Sequence, residues 1–400
     1  MKKYLIIGNG VAGTTAAEFI RKQDVKGKIT IVTEEALPFY YRIRLNEYIS
    51  ADISEQTLVA KKQQWFKDND IVLKLRTRIV RAEPQQKVVV SENNQKFYYD
   101  LLLIATGSHS FVPPIKGYDL KGVFTLRTIK DAHKISTFAK NTGNVVLIGG
   151  GLLGLEIGYA LRKSGKKVTV VEFFPRLLPR QLDVDGAFRL QQILEEMDFS
   201  FRIGAKTLEI TGDNQTTTGV ILEGGEVLAA DMIIISAGVR SNLELADTLG
   251  LDYNKGIKVD EYMRTTMTDI YSAGDVAEFK ETVYGIWLAA MEQGKIAGIN
   301  MSGGNSIYKG TAMANTLKVA GIDLASAGDI DPENKFDSKI VKDEKTYKKI
   351  VINNDRIIGC IMLGDKKGFN RIIKAIHEKH YVSEVLPDLL DQISAYRNLL

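Results

Sequence analysis

A glycine-rich motif that occurs twice constrains the fold of this chain more than any other feature of its 400 residues. Each copy follows a short apolar run that predicts a β-strand, and each precedes a segment that predicts a helix. The glycines of the first copy are Gly8, Gly10 and Gly13. The glycines of the second copy are Gly149, Gly151 and Gly154. In a βαβ unit such glycines let the backbone turn tightly and approach a pyrophosphate, whose charge the helix N-terminus favours.

An acidic residue follows a second apolar strand in each unit. The strand over 28–33 ends at Glu34, and the strand over 167–171 ends at Glu172. A carboxylate at this place can accept hydrogen bonds from an adenosine ribose. One such motif is weak evidence, and two chance glycine-rich turns are the alternative. Because strand, helix and acidic residue recur in matching order, the sequence predicts two dinucleotide sites.

The chain has a single cysteine, Cys360, which excludes several kinds of redox chemistry. It excludes an internal disulfide, a four-thiolate iron–sulfur cluster, a cysteine-rich zinc site and electron transfer through an internal cysteine pair. The net charge of +4 does not indicate nucleic-acid binding. No apolar run approaches the ~18 residues of a membrane span. We therefore expect a cytoplasmic protein without a resident metal, whose first residues form a strand rather than a signal peptide.

Three further motifs have the form of a buried strand that ends in a turn of small residues. They end in Ala105-Thr106-Gly107, in Ala237-Gly238 and in Gly274-Asp275. Together with the two glycine motifs, and in this order, they resemble the FAD-dependent pyridine-nucleotide oxidoreductases with two dinucleotide-binding domains. The resemblance covers about the whole chain. It implies an α/β fold of the glutathione-reductase type, with two Rossmann-type domains and with FAD and NAD as cofactors.

The resemblance also implies that one domain is inserted into the other. It implies an FAD-binding domain over 1–109 and 243–312, an NAD-binding domain over 110–242 and a small C-terminal α+β module over 313–400. In the family, the acidic residue that matches Asp275 hydrogen-bonds the flavin ribityl chain, and the segment that matches 105–107 crosses into the NAD domain. Within the C-terminal module, alternating apolar residues predict a hairpin with its turn at 353–355, followed by a helix over 368–380.

The stretch over 38–48 indicates the branch of the family, because branches differ mainly beside the flavin ring. Disulfide reductases and relatives that reduce peroxide or oxygen with a reactive thiol carry a cysteine in this region, and this chain has none there. The stretch is similar to the NADH:rubredoxin reductases and to the flavin-binding part of assimilatory nitrite reductases, and so is 314–328. The iron–sulfur and sirohaem domains of the complete nitrite reductases need more cysteines than one.

Four side chains are candidates for tuning the chemistry of the cofactors. Arg42 and Arg44 are candidate catalytic cations near the flavin, where positive charge favours the reduced anion; an exposed basic loop tip is the alternative. The glutamate that matches Glu156 lies towards the nicotinamide in the family, with a surface role as the alternative. Trp287 precedes a helix that the family aims at the flavin pyrimidine, with core packing as its alternative. The candidate cofactor-binding residues are Gly8, Gly10, Gly13, Glu34, Arg42, Ala105, Thr106, Gly107, Gly274, Asp275, Trp287, Gly149, Gly151, Gly154, Glu172 and Gly238.

The resemblance implies hydride transfer from NADH to flavin N5, a reaction that needs no protein acid or nucleophile. We expect the electrons to leave for rubredoxin or a similar small acidic iron protein, because positive charge is in surplus in the first 110 residues and would attract it. Two alternatives stay open. The chain could be the NADH-oxidising FAD subunit of a larger redox complex, with the acceptor centres on partner subunits. It could also be a dinucleotide-sensing binding protein with little or no turnover.

Overall fold

The structure, a computed structural model, describes residues 1–311 and 314–381, with the backbone alone for 314–317. The strands of these residues are β1 (Lys3–Ile7), β2 (Lys28–Val32), β3 (Ile71–Lys74), β4 (Ile79–Glu83), β5 (Val88–Ser91), β6 (Lys96–Tyr98), β7 (Leu101–Ile104), β8 (Ser108–Ser110), β9 (Val123–Phe124), β10 (Asn144–Ile148), β11 (Lys167–Glu172), β12 (Phe199–Ile203), β13 (Thr207–Asp213), β14 (Thr216–Leu222), β15 (Val227–Ala229), β16 (Met232–Ile235), β17 (Val239–Ser241), β18 (Ile257–Val259), β19 (Ile270–Ser272), β20 (Ala277–Phe279), β21 (Ala314–Val319), β22 (Ile322–Gly328), β23 (Asp337–Lys342), β24 (Tyr347–Asn353) and β25 (Arg356–Leu363). The helices are α1 (Val11–Gln23), α2 (Leu45–Ile49), α3 (Glu55–Leu58), α4 (Gln63–Asp68), α5 (Ile129–Ala139), α6 (Leu152–Lys163), α7 (Val184–Glu196), α8 (Glu244–Leu249), α9 (Trp287–Met301) and α10 (Phe369–Glu378), with 3-10 turns at Arg42–Arg44 and Pro84–Gln86.

The chain forms two compact units. Unit 1 comprises Met1–Tyr48, Ile53–Phe111 and Val239–Thr311, and unit 2 comprises Ile49–Asp52, Val112–Gly238 and the described residues after 313. Unit 1 is split in the chain, with edges at Phe111 and Val239 where the sequence predicts 109 and 243. The bounds of unit 1 differ from the predicted ones because β8 pairs with β17 in an antiparallel ribbon, in which Ser110 lies opposite Val239. The assignment of FAD domain, NAD domain and C-terminal module stays a prediction. Residue 312 of the predicted FAD domain and residues 313 and 382–400 of the predicted module lie outside the described residues.

Unit 1 is built on a five-stranded sheet in the order β19-β7-β1-β2-β3, with all neighbours parallel. The central strands are apolar because a parallel sheet is covered on both faces. Helix α1 packs against α9, and two glycines of α9 make this contact close. A Cβ on Gly294 would lie 2.3 Å from the Ala12 carbonyl oxygen, and one on Gly298 would lie 2.5 Å from that of Ala16. No larger residue fits at either position without moving the helices apart.

Unit 2 repeats the same βαβ pattern. Its parallel sheet has the order β12-β11-β10-β16-β9. Strand β10 lies between β11 and β16 as β1 lies between β2 and β7, and α6 follows β10 as α1 follows β1. The prediction of two Rossmann-type folds is therefore confirmed.

The C-terminal module has a five-stranded antiparallel sheet in the order β21-β22-β25-β24-β23, followed by α10. The predicted hairpin and helix are both present. The turn is shorter than predicted, because Asn353 still pairs with Arg356 and leaves only Asn354 and Asp355 between the strands. Cys360 lies in the core of this sheet, and burial raises the pKa of its thiol to about 12.

A buried ammonium group joins the module to α7 within unit 2. Lys349 of β24 has no exposed surface, and its Nζ lies 3.1 Å from the carboxylate of Asp183, which caps the N-terminus of α7. The Nζ also donates to the Asp331 carbonyl oxygen and to Asn334 Oδ1, at 2.9 Å each. The Tyr347 hydroxyl donates to the same Asp183 carboxylate at 2.7 Å. Burial and this bond raise the pKa of the Tyr347 hydroxyl.

Candidate cofactor sites

The first glycine motif forms a backbone cradle at the N-terminus of α1. Gly8 has φ +114°, and a Cβ on it would lie 2.0 Å from the Ala105 carbonyl oxygen. A Cβ on Gly13 would lie 2.1 Å from the Gly8 carbonyl oxygen. Gly10 caps α1, and a Cβ there would meet nothing within 4 Å. Two glycines are thus required by the packing, whereas the third keeps space open in front of the helix terminus.

Asn9, inside this motif, supplies a polar group that fits a phosphate ligand. The side chain is 7% exposed, and its Oδ1 accepts from the Thr14 hydroxyl at 3.2 Å. Its Nδ2 is buried and has no hydrogen-bond partner among the described residues. A buried donor without an acceptor is costly. An oxygen of a bound pyrophosphate would satisfy this donor, so the residues present fit a dinucleotide.

The second motif repeats the first in detail. Gly149 has φ +115°, and a Cβ on it would lie 2.3 Å from the Ser236 carbonyl oxygen, next to Ala237-Gly238. A Cβ on Gly154 would lie 2.4 Å from the Gly149 carbonyl oxygen, and one on Gly151, the N-cap of α6, would meet nothing within 4 Å. The same close contacts and the same open position recur, so the second cradle fits the same class of ligand.

The two acidic residues predicted at strand ends lie in different environments. Glu172 is 5% exposed, and its carboxylate accepts from the Gly150 N–H at 2.5 Å and from the Phe174 N–H at 2.7 Å. The Glu34 side chain is 64% exposed and lies 3.7 Å from Arg78. Strand register explains the difference. The N–H groups of the equivalent glycines, Gly8 and Gly149, bond to Val32 and Val171, so Thr33 is the structural counterpart of Glu172.

Glu35, which the sequence analysis missed, carries the more buried carboxylate at the end of β2. Its side chain is 11% exposed, and it accepts from Arg42 at 2.6 Å and from the Tyr40 hydroxyl at 3.1 Å. The register of the strands would not have identified it, because the counterpart of Glu172 is Thr33, two residues earlier. The predicted ribose contact of Glu34 stays a prediction.

Both candidate cations are paired with carboxylates in the structure. Arg42 binds Glu35, and Arg44 binds Glu47 through its Nε and one terminal nitrogen, at 2.7–3.1 Å. The hydrogen bond that Arg44 donates to the Glu47 carboxylate raises the pKa of Arg44. Each arginine side chain is about one third exposed, at 32% and 33%. The pairs hold both guanidinium groups in place on a short 3-10 turn, and a role beside the flavin stays a prediction for each.

The crossover segment after β7 is held by a residue that the sequence did not reveal. Asn242 donates its side-chain N–H to the Thr106 carbonyl at 2.8 Å, and its own carbonyl oxygen lies 3.2 Å from the Thr106 hydroxyl. Gly107 and Gly238 both have positive φ, +70° and +97°. The partners are 136 residues apart in the chain, so no local motif could indicate this contact.

Asp275 follows β19 at the same edge of the unit 1 sheet. Its carboxylate accepts from the Ser108 hydroxyl at 2.9 Å. Gly274 has φ +87°, donates its N–H to buried Gln293 of α9 at 2.8 Å and lies against Ala12 of α1. Fixed in this way, the Asp275 carboxylate can accept a hydrogen bond from a hydroxyl group of a ligand. It belongs to the same unit as the first cradle.

Trp287 is the first residue of α9 and forms part of an aromatic cluster. Its ring lies 5.7 Å from the rings of Phe39 and Tyr41, centroid to centroid. Phe39 is buried, whereas Tyr41 is 37% exposed. Trp287 therefore does pack, as one of its two interpretations required, and it also orients the N-terminus of α9.

Glu156 lies on α6, two residues after the last glycine of the second cradle. Its Oε1 accepts from the backbone N–H of Ala320 at 3.1 Å. Ala320 belongs to the turn between β21 and β22 of the C-terminal module. The carboxylate is therefore oriented by the module rather than left on an open helix surface. Its predicted place beside the nicotinamide stays a prediction.

The described residues contain no group of three or more histidine, cysteine, aspartate or glutamate side chains that could hold a metal ion. Among these residues no helix is both long and apolar enough to cross a membrane.

Two βαβ units, each with an open cradle at a helix N-terminus, and a strand-end carboxylate beside the first are the features of a protein with two dinucleotide sites. The chain belongs to the pyridine nucleotide-disulphide oxidoreductase family, which matches residues 2–294. Residues 314–380 match the rubredoxin NAD+ reductase C-terminal domain. The resemblance predicted from the motifs is confirmed, and FAD and NAD are the cofactors that go with it.

Two relatives and one solved structure give the scale of the similarity. The chain is 33% identical over 387 residues to the nitrite reductase [NAD(P)H] of Bacillus subtilis, covering 96% of this chain and 48% of that protein. It is 33% identical to the NADH-rubredoxin oxidoreductase of Clostridium acetobutylicum, with 94% of each covered. The solved structure of the NADH:rubredoxin oxidoreductase from Clostridium acetobutylicum superposes with a TM-score of 0.82 at 30% identity, covering 95% of this chain and 96% of that one. The chain spans about half the length of the nitrite reductase relatives that it matches.

Proposed function

We propose that the chain holds FAD at the first glycine cradle and NADH at the second, and that it delivers electrons from NADH to a small acidic iron protein of the rubredoxin kind. The observation that carries the proposal is the duplicated cradle, with open space at Gly10 and at Gly151 in front of two helix N-termini. The partial positive charge and the backbone N–H groups of such a terminus favour a pyrophosphate. A protein that handles one dinucleotide needs only one cradle.

The residues of unit 1 suit FAD. Asp275 would accept hydrogen bonds from ribityl hydroxyls, and Asn9 Nδ2 would donate to the pyrophosphate. The N-terminus of α9, oriented by the packing of Trp287, would favour negative charge on the flavin ring. Bound FAD supplies a hydride acceptor that can release its two electrons singly. The protein itself needs no acid, base or thiol for this chemistry.

The residues of unit 2 suit NADH. The buried carboxylate of Glu172 can accept from an adenosine ribose hydroxyl while two backbone N–H groups hold it. Glu156, held by the Ala320 N–H, offers an oriented carboxylate on the helix that starts at the cradle. Both groups orient a ligand and neither takes part in bond breaking.

A small iron protein is the acceptor that the comparisons support best. The relative named NADH-rubredoxin oxidoreductase matches over 94% of each chain, and the C-terminal module matches a domain of rubredoxin reductases. A larger redox complex is the second candidate, and one observation favours it. The nitrite reductase relatives are about twice as long as this chain, so related sequences also occur as parts of longer proteins.

The test is a stopped-flow measurement that separates flavin reduction by NADH from electron delivery to rubredoxin. We expect delivery to rubredoxin to be faster than delivery to oxygen and to slow as ionic strength rises, because screening weakens long-range attraction. Arg44→Glu should slow delivery to rubredoxin more than it slows flavin reduction by NADH. Arg202→Glu is a matched control, since this arginine lies outside the first 110 residues and is also partly exposed and paired with a glutamate.

A rubredoxin rate that ignores ionic strength, or that does not exceed the oxygen rate, would favour the larger complex. Isolation of the native protein from its cells together with a metal-containing partner subunit would show that the larger complex is the correct interpretation. A protein that binds both nucleotides but reduces no artificial acceptor with NADH would be a dinucleotide sensor, and the proposed activity would be wrong.

A further inference from the structure

The turn between β21 and β22 has an unusual residue at a strained position. Val319 pairs with Ile322, so only Ala320 and Gly321 connect the strands. Both have positive φ, +51° and +83°. A two-residue turn of this kind favours asparagine, aspartate or glycine, because a Cβ is strained in the left-handed region. Gly321 suits its place in the turn, whereas Ala320 does not.

A second two-residue turn in the same sheet contains the residue types that such a turn favours. Asn354 and Asp355 connect β24 to β25 with φ +49° and +58°. They are the residue types that the turn favours, and both are exposed. Ala320, in contrast, is 1% exposed. The sheet therefore has a strained and buried residue in one turn, beside the exposed Gly321, and a favourable exposed pair in the other turn.

The Ala320–Gly321 turn lies against α6, the helix of the second cradle. Ala320 donates its N–H to Glu156 Oε1 at 3.1 Å. The adjoining Gly321 faces Tyr159 of the same helix, whose hydroxyl would lie 3.5 Å from a Cβ at that glycine. A longer side chain at position 320, such as asparagine, would have to fit into a space that is already filled. Backbone strain that persists against the turn's own preference is a recurrent feature of functional sites.

We propose that the Ala320–Gly321 turn positions Glu156 for NAD(H), so that the C-terminal module forms part of the nucleotide site of unit 2. The proposal rests on the proposed function, which places NADH at the second cradle. A glutamate on a helix surface samples several rotamers, and a charge-assisted bond from a fixed N–H selects one of them. Glu156 then presents its carboxylate to the ligand in one orientation. Ala320 acts through Glu156 and is a positioning residue.

The experiment compares Ala320→Val with Asn354→Val. Valine disfavours positive φ in both turns, but only the first turn touches Glu156. We measure the dissociation constant of NAD+ by calorimetry on the FAD-loaded protein, and the rate of flavin reduction at saturating and subsaturating NADH. Ala320→Val should weaken NAD+ binding about tenfold, the scale of one lost hydrogen bond to a charged group. Asn354→Val should change NAD+ binding less than about twofold, as expected of a surface change.

A double-variant comparison distinguishes positioning from general loosening. Glu156→Ala should weaken NAD+ binding by a similar factor, and adding Ala320→Val to it should have little further effect, because both act through one contact. Full additivity, or equal effects of the two valine variants, would overturn the proposal. If Ala320→Val does not fold, hydrogen exchange of the Ala320 amide decides: NAD+ should slow it in the wild type and not in Glu156→Ala. A wild type that binds FAD but no NAD+ would instead refute the proposed function, and this inference with it.

Discussion

The choice between NADH and NADPH follows from the position of Glu172. Its carboxylate is 5% exposed and is held by the N–H groups of Gly150 and Phe174. It can accept a hydrogen bond from an adenosine 2′-hydroxyl, but it would repel a 2′-phosphate. Arg176 is the nearest cation in the sequence that could offset this repulsion, but its guanidinium group already makes hydrogen bonds within the protein. Its guanidinium donates to the carbonyl oxygens of Leu182 and Pro179, at 3.2 Å each.

The expected size of the preference can be worked out from this arrangement. Two like charges about 4 Å apart repel by roughly 4 kcal/mol at an effective dielectric near 20. Salt and the exposure of the phosphate reduce this value, so we expect about tenfold to a hundredfold higher kcat/KM for NADH. Glu172→Gln keeps the size of the side chain and one acceptor oxygen but removes the charge. It should bring the ratio to within about fivefold, mainly by lowering KM for NADPH.

Flavin reduction at limiting concentrations of each nucleotide provides the assay. Glu34→Gln is the matched control, because it neutralises the exposed carboxylate after the corresponding strand of unit 1. It should leave the nicotinamide preference unchanged. Equal kcat/KM values for NADH and NADPH in the wild type, or an unchanged ratio in Glu172→Gln, would show that this carboxylate does not select the nucleotide.

Three further predictions concern flavin retention, stability and the lone thiol. Asp275→Ala should lower the fraction of purified protein that carries FAD, measured by the ratio of flavin to protein absorbance, whereas Asp275→Asn keeps an acceptor and should lose less; equal occupancy in all three proteins would contradict the role. Lys349→Met leaves the Asp183 carboxylate buried beside the lost ammonium and should destabilise unit 2 by about 3–5 kcal/mol, seen as an earlier calorimetric transition; an unchanged transition would refute this. Cys360 should resist a disulfide reagent at pH 8, because burial raises its pKa to about 12 and leaves only about one thiol in ten thousand ionised, until denaturant exposes it; rapid labelling of the native protein would contradict the buried position.

The fold was readable from the sequence because its strongest signals are local. Each cradle depends on glycines that follow an apolar strand within a few residues, and two copies in one chain leave few other architectures. The alternation in β24 and β25 and the turn residues Asn354 and Asp355 likewise made the second hairpin predictable. The predicted elements differ from the structure at their ends. The turn predicted at 353–355 is one residue shorter, because Asn353 pairs with Arg356 as the last pair of the two strands.

The candidate site was less predictable, because part of it depends on register and on contacts between distant segments. Glu34 is the first acidic residue after β2 and was therefore the predicted ribose contact, but strand pairing makes Thr33 the counterpart of Glu172. The partners of the crossover and of Asp275 could not be found either. Asn242 and Ser108 bond across more than a hundred residues of chain, and their residue types are common in loops.

The C-terminal module shows why a segment without a motif can still belong to a functional site. Its sequence suggested nothing catalytic. Lys349 is fully buried and donates to three acceptors, among them the cap of α7. A buried ammonium with all its donors satisfied holds two elements in one geometry, since any shift would leave a charge without partners. The same module places the Ala320 N–H on Glu156. The module therefore holds two helices of unit 2, α7 through Lys349 and α6 through the bond from Ala320 to Glu156.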